Sequence, residues 1–160
     1  KLESAFLAVI IFFSLYLANN FYKDYTFKNS PLPKDMQEAI AKKEQEILNN
    51  MKKNYGFSYR FPLIVTDKIP GKLYGVTSLD KRGNIAIFLN KKVMKESFDY
   101  MLDTVIAHEY AHALMFKLNQ DTNKDGGHSA LWKQTCTKLG GIKCQKYVNS
   151  QDVVLGKLPF

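Results

Sequence analysis

The sequence contains 160 residues, of which 46% are hydrophobic and 13% aromatic, and this composition predicts one packed domain. The net charge of +8 comes mostly from scattered lysine pairs and not from one basic stripe interleaved with exposed aromatic residues. Nucleic-acid binding is therefore permitted but not indicated, because a solvated basic surface or attraction to anionic lipid explains the charge equally well.

The first segment is apolar: residues 5–18 read AFLAVIIFFSLYLA. It is somewhat shorter than the roughly 20 residues that a bilayer span prefers, so a cleaved signal, a membrane anchor and a buried first helix all compete. Tyr16 disfavours signal cleavage after Ala18, and apolar residues on every side of the helix suit lipid better than one-sided packing. We predict a membrane anchor at residues 1–18.

Residues 19–33 are aromatic and polar and end in Ser-Pro-Leu-Pro, which is typical of an extended tether. Residues 34–160 are predicted to form the folded domain. It begins with an amphipathic helix over residues 34–55, because apolar side chains recur there at helical spacing. The inward stripe of this helix is Met36, Ile40, Ile47, Leu48, Met51 and Tyr55.

Three strand candidates follow, at residues 61–66, 73–79 and 85–89. Pro70-Gly71 marks a turn between the first two, and residues 80–84 have the composition of a hairpin connection. These elements predict an α+β domain with a small antiparallel or mixed sheet of about three strands. An exposed edge strand can bind an extended peptide, although the sequence is equally compatible with strands that only support the next helix.

The motif that carries chemistry is His108-Glu109-Tyr110-Ala111-His112, within a predicted helix over residues 98–118. Side chains four apart on a helix point to the same side, so His108 and His112 can bind one metal ion. Glu109 borders that side, in the position of the general base of a zinc hydrolase. The pattern predicts a zinc metallopeptidase that acts on a peptide or protein substrate.

A third ligand is expected downstream, and His128 is the only other histidine. Met115 and Leu118 stand where a metzincin needs glycine and histidine, so that class is excluded. A thermolysin-like glutamate is excluded as well, because no Glu follows Glu109. The remaining carboxylate candidates are Asp121, Asp125 and Asp152, but catalytic zinc favours imidazole, so we predict His128.

The loop before His128 also resembles part of a calcium-binding loop. Asp121, Asn123 and Asp125 match the first three ligand positions, but Trp132 stands where a bidentate glutamate is needed. Any calcium site there would be weak, and a polar turn that positions His128 is the simpler interpretation.

A final helix is predicted over residues 129–139, ended by Gly140-Gly141. The two cysteines of the chain, Cys136 and Cys144, lie on either side of this turn. Two reduced core cysteines and a disulfide are equally compatible with the spacing. A disulfide would favour an extracytoplasmic domain, since disulfides persist in oxidising compartments.

The order of residues from the HExxH motif through Ala113-Leu114, Gly127-His128, Trp132 and Leu139-Gly140 resembles the SprT-like metallopeptidases, which include Spartan. The similarity covers residues 73–141. It implies a zincin-like fold, in which the small sheet packs with the active-site helix and a supporting helix, with zinc on His108, His112 and His128 and with Glu109 as catalytic acid and base. Two other functions compete with a membrane-anchored peptidase: a non-catalytic, zinc-stabilised component of a membrane assembly, and a DNA-associated protease.

Overall fold

A computed structural model describes residues 2–70, 73–120 and 126–147 of the chain. The contacts divide the chain into two units, Lys1–Pro33 and Lys34–Phe160. This boundary lies where the predicted tether meets the predicted domain.

The first unit is one helix, α1, at Leu2–Asn29. Its apolar side chains from Phe6 to Leu17 are exposed on all sides, as expected for a helix that has no polar face. The predicted extended conformation of residues 19–33 was wrong for residues 19–29, which continue the helix. These residues include no glycine or proline, so aromatic and polar side chains prolong the helix until Pro31 and Pro33 prevent its continuation.

The second unit has an α+β architecture, as predicted. Its elements in chain order are α2 Lys34–Tyr55, β1 Leu63–Thr66, β2 Gly75–Leu79, β3 Ile85–Asn90, α3 Lys91–Glu96, α4 Phe98–Tyr100, a π-helical turn Met101–Val105, α5 Ile106–Lys117 and α6 Ala130–Lys138. Short α3 was not predicted, and neither was the π-turn. The predicted helix over residues 98–118 is thus present, but it contains a π-helical turn just before the HExxH motif.

The sheet of the described residues is mixed and has the order β1-β3-β2. β1 runs parallel to β3, and β2 pairs with β3 in antiparallel register, with Thr77 opposite Ile87. Asp80 closes the β2–β3 connection, because its Oδ1 accepts hydrogen bonds from the main-chain N–H groups of Arg82 and Asn84, both at 2.8 Å. The three predicted strands and the hairpin are confirmed.

Helix α5 lies at the centre of the second unit and packs on β2, β3, α2 and α6. The side of α2 that faces inward carries the predicted apolar residues Ile40, Ile47, Leu48 and Met51. It also carries a buried carboxylate that the apolar pattern did not predict: Glu44 accepts a hydrogen bond from the Tyr110 hydroxyl at 2.5 Å. This bond fixes α2 against the helix that carries the HExxH motif.

Candidate metal centre and catalytic site

The three histidines meet at one point. His108 and His112 are one turn apart on α5, and His128 reaches them after Gly126 and Gly127, whose φ values of 64° and 82° are left-handed. The Nε2 atom of His112 is 3.2 Å from that of His108 and 3.2 Å from that of His128, and the third side of the triangle is 3.1 Å. The structure thus brings together the three imidazoles that the sequence singled out.

This triangle fits a tetrahedral metal ion. Two nitrogens that each lie about 2.05 Å from tetrahedral zinc are separated by roughly 3.3 Å, close to the observed spacing. Burial, followed by the neighbouring His112 and His128, lowers the pKa of His108 to about 3. The His108 ring is therefore neutral near pH 7, with a lone pair available to a cation. An all-imidazole set at this spacing suits zinc.

Trp132 holds the three rings in place. It lies on α6, is 1% exposed, and its ring centroid is 4.7, 5.1 and 4.5 Å from those of His108, His112 and His128. Ser129 begins α6 by accepting a hydrogen bond from the Trp132 N–H at 3.2 Å. The start of the predicted supporting helix therefore fixes both His128, which directly precedes Ser129, and the indole against which all three imidazoles pack.

Glu109 directly follows His108 on α5, and its side chain lies against strand β2. It is 5% exposed, and the Thr77 hydroxyl is 2.7 Å from its Oε2 and 2.9 Å from its main-chain oxygen. Burial raises the pKa of Glu109 to about 7, and the hydrogen bonds from Thr77 oppose that shift. A carboxyl group with a pKa in this range exchanges protons readily at neutral pH.

Gly75 makes room for the Glu109 side chain. A Cβ atom on Gly75 would lie 2.7 Å from Cγ, 2.8 Å from Oε1 and 2.9 Å from Cδ of Glu109, closer than real Cβ contacts allow. Sequence reasoning missed both Gly75 and Thr77 as parts of the site. The available signal was a glycine inside a strand, which often marks a close approach of other atoms to the backbone.

The carboxylate candidates for the third ligand and the predicted calcium ligands lie outside the described residues. This applies to Asp121, Asn123, Asp125 and Asp152. Within the part of the chain that the structure describes, the one group of three or more potential metal ligands is His108, His112 and His128. The weak calcium site remains without support.

Cys136 and Cys144 form a disulfide, with their Cα atoms 5.9 Å apart. Gly141 permits this closure, because a Cβ there would lie 2.6 Å from the Cys136 sulfur and 2.8 Å from the Cys144 sulfur. Of the two cysteine states that the sequence allowed, the structure contains the cross-linked one. The bond ties the segment after the Gly140-Gly141 turn to α6, the helix that carries Trp132.

A small mixed sheet packed on a helix that carries HExxH, with a third histidine just before the next helix, defines a zincin-like fold with a candidate metal centre. The chain belongs to the SprT-like family, whose model matches residues 36–152. This range extends beyond the stretch over which the resemblance was first drawn. SprT-like proteins are generally zinc metalloproteases, and the histidine triad fits that class. No match was found among curated proteins or among solved structures.

Proposed function

We propose that this protein is a zinc-dependent endopeptidase, with His108, His112 and His128 as the metal ligands and Glu109 as the catalytic acid and base. The observation that carries the proposal is the convergence of three Nε2 atoms at 3.1 to 3.2 Å beside a buried carboxylate on the same helix. Membership of the SprT-like family supports it.

His108, His112 and His128 would hold the zinc ion, which would supply Lewis acidity at the reaction centre. The Glu109 carboxylate accepts the proton of the attacking water on one of its oxygens and returns it to the leaving amine nitrogen. Thr77 orients this carboxylate through Oε2, and Gly75 leaves the space that it occupies. Trp132 keeps the imidazole rings in their converging orientation.

We further propose that α1 anchors the enzyme in a membrane. Residues Ser4–Asn29 form a helix that is long and apolar enough to cross a bilayer, and its apolar side chains are exposed. The disulfide between Cys136 and Cys144 supports an extracytoplasmic location for the second unit. The anchored protein would then act on peptides or proteins outside the cytoplasm.

The test is a comparison of the wild type with Glu109→Gln, both purified from the detergent-extracted membrane fraction. Each should bind about one zinc ion per chain, because the three imidazoles are unchanged. Cleavage of an unfolded protein should fall by about 10²- to 10⁴-fold in the variant, since the proton acceptor is lost. Glu38→Gln, the same change on an exposed position of α2, is the matched control and should keep full activity.

Equal proteolysis by the wild type and Glu109→Gln would refute the catalytic role. Zinc binding without turnover in either protein would favour a structural zinc site in a membrane assembly. Recovery of the protein in the soluble fraction without detergent would refute the anchor and leave the catalytic proposal standing.

A further inference from the structure

A pocket of about 410 Å³ adjoins the histidine triad on its α6 side. His128 and Trp132 form the wall nearest to the metal centre, and Lys133 on α6 lies next to them. Another part of the lining comes from the segment that the disulfide ties down, and it includes Cys144 and Lys146. A substrate side chain in this pocket would therefore lie directly beside the proposed reaction centre.

The charged side chains that line this pocket are both cationic. They are Lys133 and Lys146, and the described lining contains no aspartate or glutamate. Within residues 2–70, 73–120 and 126–147, no carboxylate forms an ion pair with either ammonium group. The positive charge of the pocket lining is therefore not neutralised by a salt bridge among these residues.

The position of Lys146 is set by its neighbours. Its Cε and Nζ atoms lie 3.6 Å from where a Cβ of Gly126 would be, so the side chain lies against the backbone two residues before His128. Its Nζ is also 5.3 Å from the centre of the Tyr147 ring, within the range of a cation–π contact. The disulfide links Cys144 to Cys136 on α6, and Lys146 is only two residues after Cys144. The disulfide therefore limits how far Lys146 can move from α6.

We propose that this pocket binds an acidic side chain of the peptide substrate and so selects substrates with glutamate or aspartate near the scissile bond. A carboxylate there would be attracted by the two ammonium groups that line the same pocket, whereas a lysine side chain would be repelled by both. As a statement about substrate selection, this inference rests on the proposed function. The binding preference itself is measurable without any turnover.

The experiment uses the full chain in detergent, loaded with zinc and carrying Glu109→Gln, so that bound peptides are not cleaved. Three blocked pentapeptides, Ala-Ala-Xaa-Ala-Ala with Xaa as Glu, Gln or Lys, are titrated at low salt. The signal is the fluorescence of Trp132, the only tryptophan of the chain and part of the pocket wall. The Glu peptide should bind at least about threefold more tightly than the Gln peptide, as expected for one or two partly exposed ion pairs, and the Lys peptide most weakly.

Adding Lys133→Glu and Lys146→Glu should reverse the order, so that the Lys peptide binds best. The matched control is Lys42→Glu with Lys53→Glu, two exposed lysines of α2 outside the pocket, which changes the net charge equally and should keep the preference for Glu. Equal affinities for the three peptides in the Glu109→Gln protein would overturn the proposal. An equal loss of preference in the control pair would overturn it too, because the effect would then come from overall charge.

Failure of this inference can be distinguished from failure of the proposed function. Loss of the peptide preference with intact, Glu109-dependent proteolysis removes the acidic pocket alone. Retention of the preference in a chain that cleaves no unfolded protein removes the peptidase function and leaves the pocket as a binding site for acidic peptides.

Discussion

On the side of α5 that faces α6, three imidazoles pack against an indole, whereas on the side that faces β2 a single carboxylate lies against a strand. On the first side, the Trp132 ring packs against the imidazoles, and its centroid lies within 5.1 Å of the centroid of each histidine ring. The second side depends on a missing side chain at Gly75 and one hydroxyl at Thr77. The candidate metal centre thus depends on close aromatic packing, whereas the placement of the proposed general base, Glu109, depends on the space left at Gly75.

Because the two sides have different neighbours, metal binding and proton transfer can be perturbed separately in the proposed site. Changes on the α6 side should affect stability and metal binding, because they alter the packing of the ligands. Changes on the β2 side should affect proton transfer, because they move a carboxylate that is not a metal ligand in the proposed site.

Trp132→Ala should have the largest effect, on the α6 side. Removing a side chain that is 1% exposed leaves a cavity and should lower the free energy of unfolding by about 3 to 5 kcal/mol, measured by urea denaturation. Zinc affinity should fall by about 10- to 100-fold, since the histidine rings lose their support. Leu131→Ala, on the same helix but 42% exposed, is the control and should cost less than about 1 kcal/mol. Equal destabilisation by both changes would contradict the role assigned to the indole.

The metal-free protein should show opposite pH dependence on the two sides. Burial raises the pKa of Glu109 from 4.5 to about 7, so its contribution to stability is present below pH 4.5 and is lost as the pH rises through 7. Burial lowers the pKa of His108 from 6.5 to about 3, so its contribution is present above pH 6.5 and is lost as the pH falls toward 3. For Glu109 the loss should be on the order of 3 kcal/mol.

Urea unfolding of chelator-treated protein between pH 4.5 and 8 measures this effect. Glu109→Gln should remove the decline that accompanies rising pH, because a glutamine does not ionise, while the acid-side loss that comes from His108 should remain. Parallel curves for the two proteins across this range would show that the Glu109 carboxyl does not titrate as its burial implies.

The sequence was sufficient to predict which histidines converge on the α6 side, but not that Trp132 packs against all three. His108 and His112 are fixed by helical periodicity, which is a local property, and His128 was chosen by elimination among a few candidates. The end of α6 was predictable from a local signal as well, because a glycine pair follows it, whereas the role of Ser129 as the N-cap came only from the structure. The family resemblance pointed to the same ligands.

Other features depend on contacts between distant parts of the chain. Thr77 meets Glu109 across 32 residues, and nothing in the local pattern of β2 indicates which of its side chains faces α5. Glu44 interrupts the apolar stripe of α2 in the sequence, so its burial was not predicted. In the structure it is buried and accepts a hydrogen bond from the Tyr110 hydroxyl. The helical extension over residues 19–29 was missed because aromatic and polar composition was given more weight than the absence of helix-breaking residues.

Gly75→Ala is the smallest change and the sharpest test of the β2 side. The new methyl group would overlap three atoms of Glu109 at 2.7 to 2.9 Å, and all three belong to a side chain that can rotate. The carboxylate should therefore move away from β2 and lose its hydrogen bond from Thr77, which should lower the free energy of unfolding by about 1 to 3 kcal/mol. Because a displacement of about 1 Å at a reacting group can reduce catalysis about 100-fold, kcat/KM should fall by about this factor.

In the same variant, zinc content should stay at about one ion per chain, and the loss of stability should be smaller than in Trp132→Ala. Ser78→Ala, an exposed position of the same strand, is the matched control for a change in β2 and should leave kcat/KM unaltered. If Gly75→Ala instead lost both bound zinc and activity, a change at β2 would also disturb the metal ligands. The proposed independence of ligand packing and Glu109 placement would then be wrong. Full activity in Gly75→Ala would mean that Glu109 works from a position away from the strand.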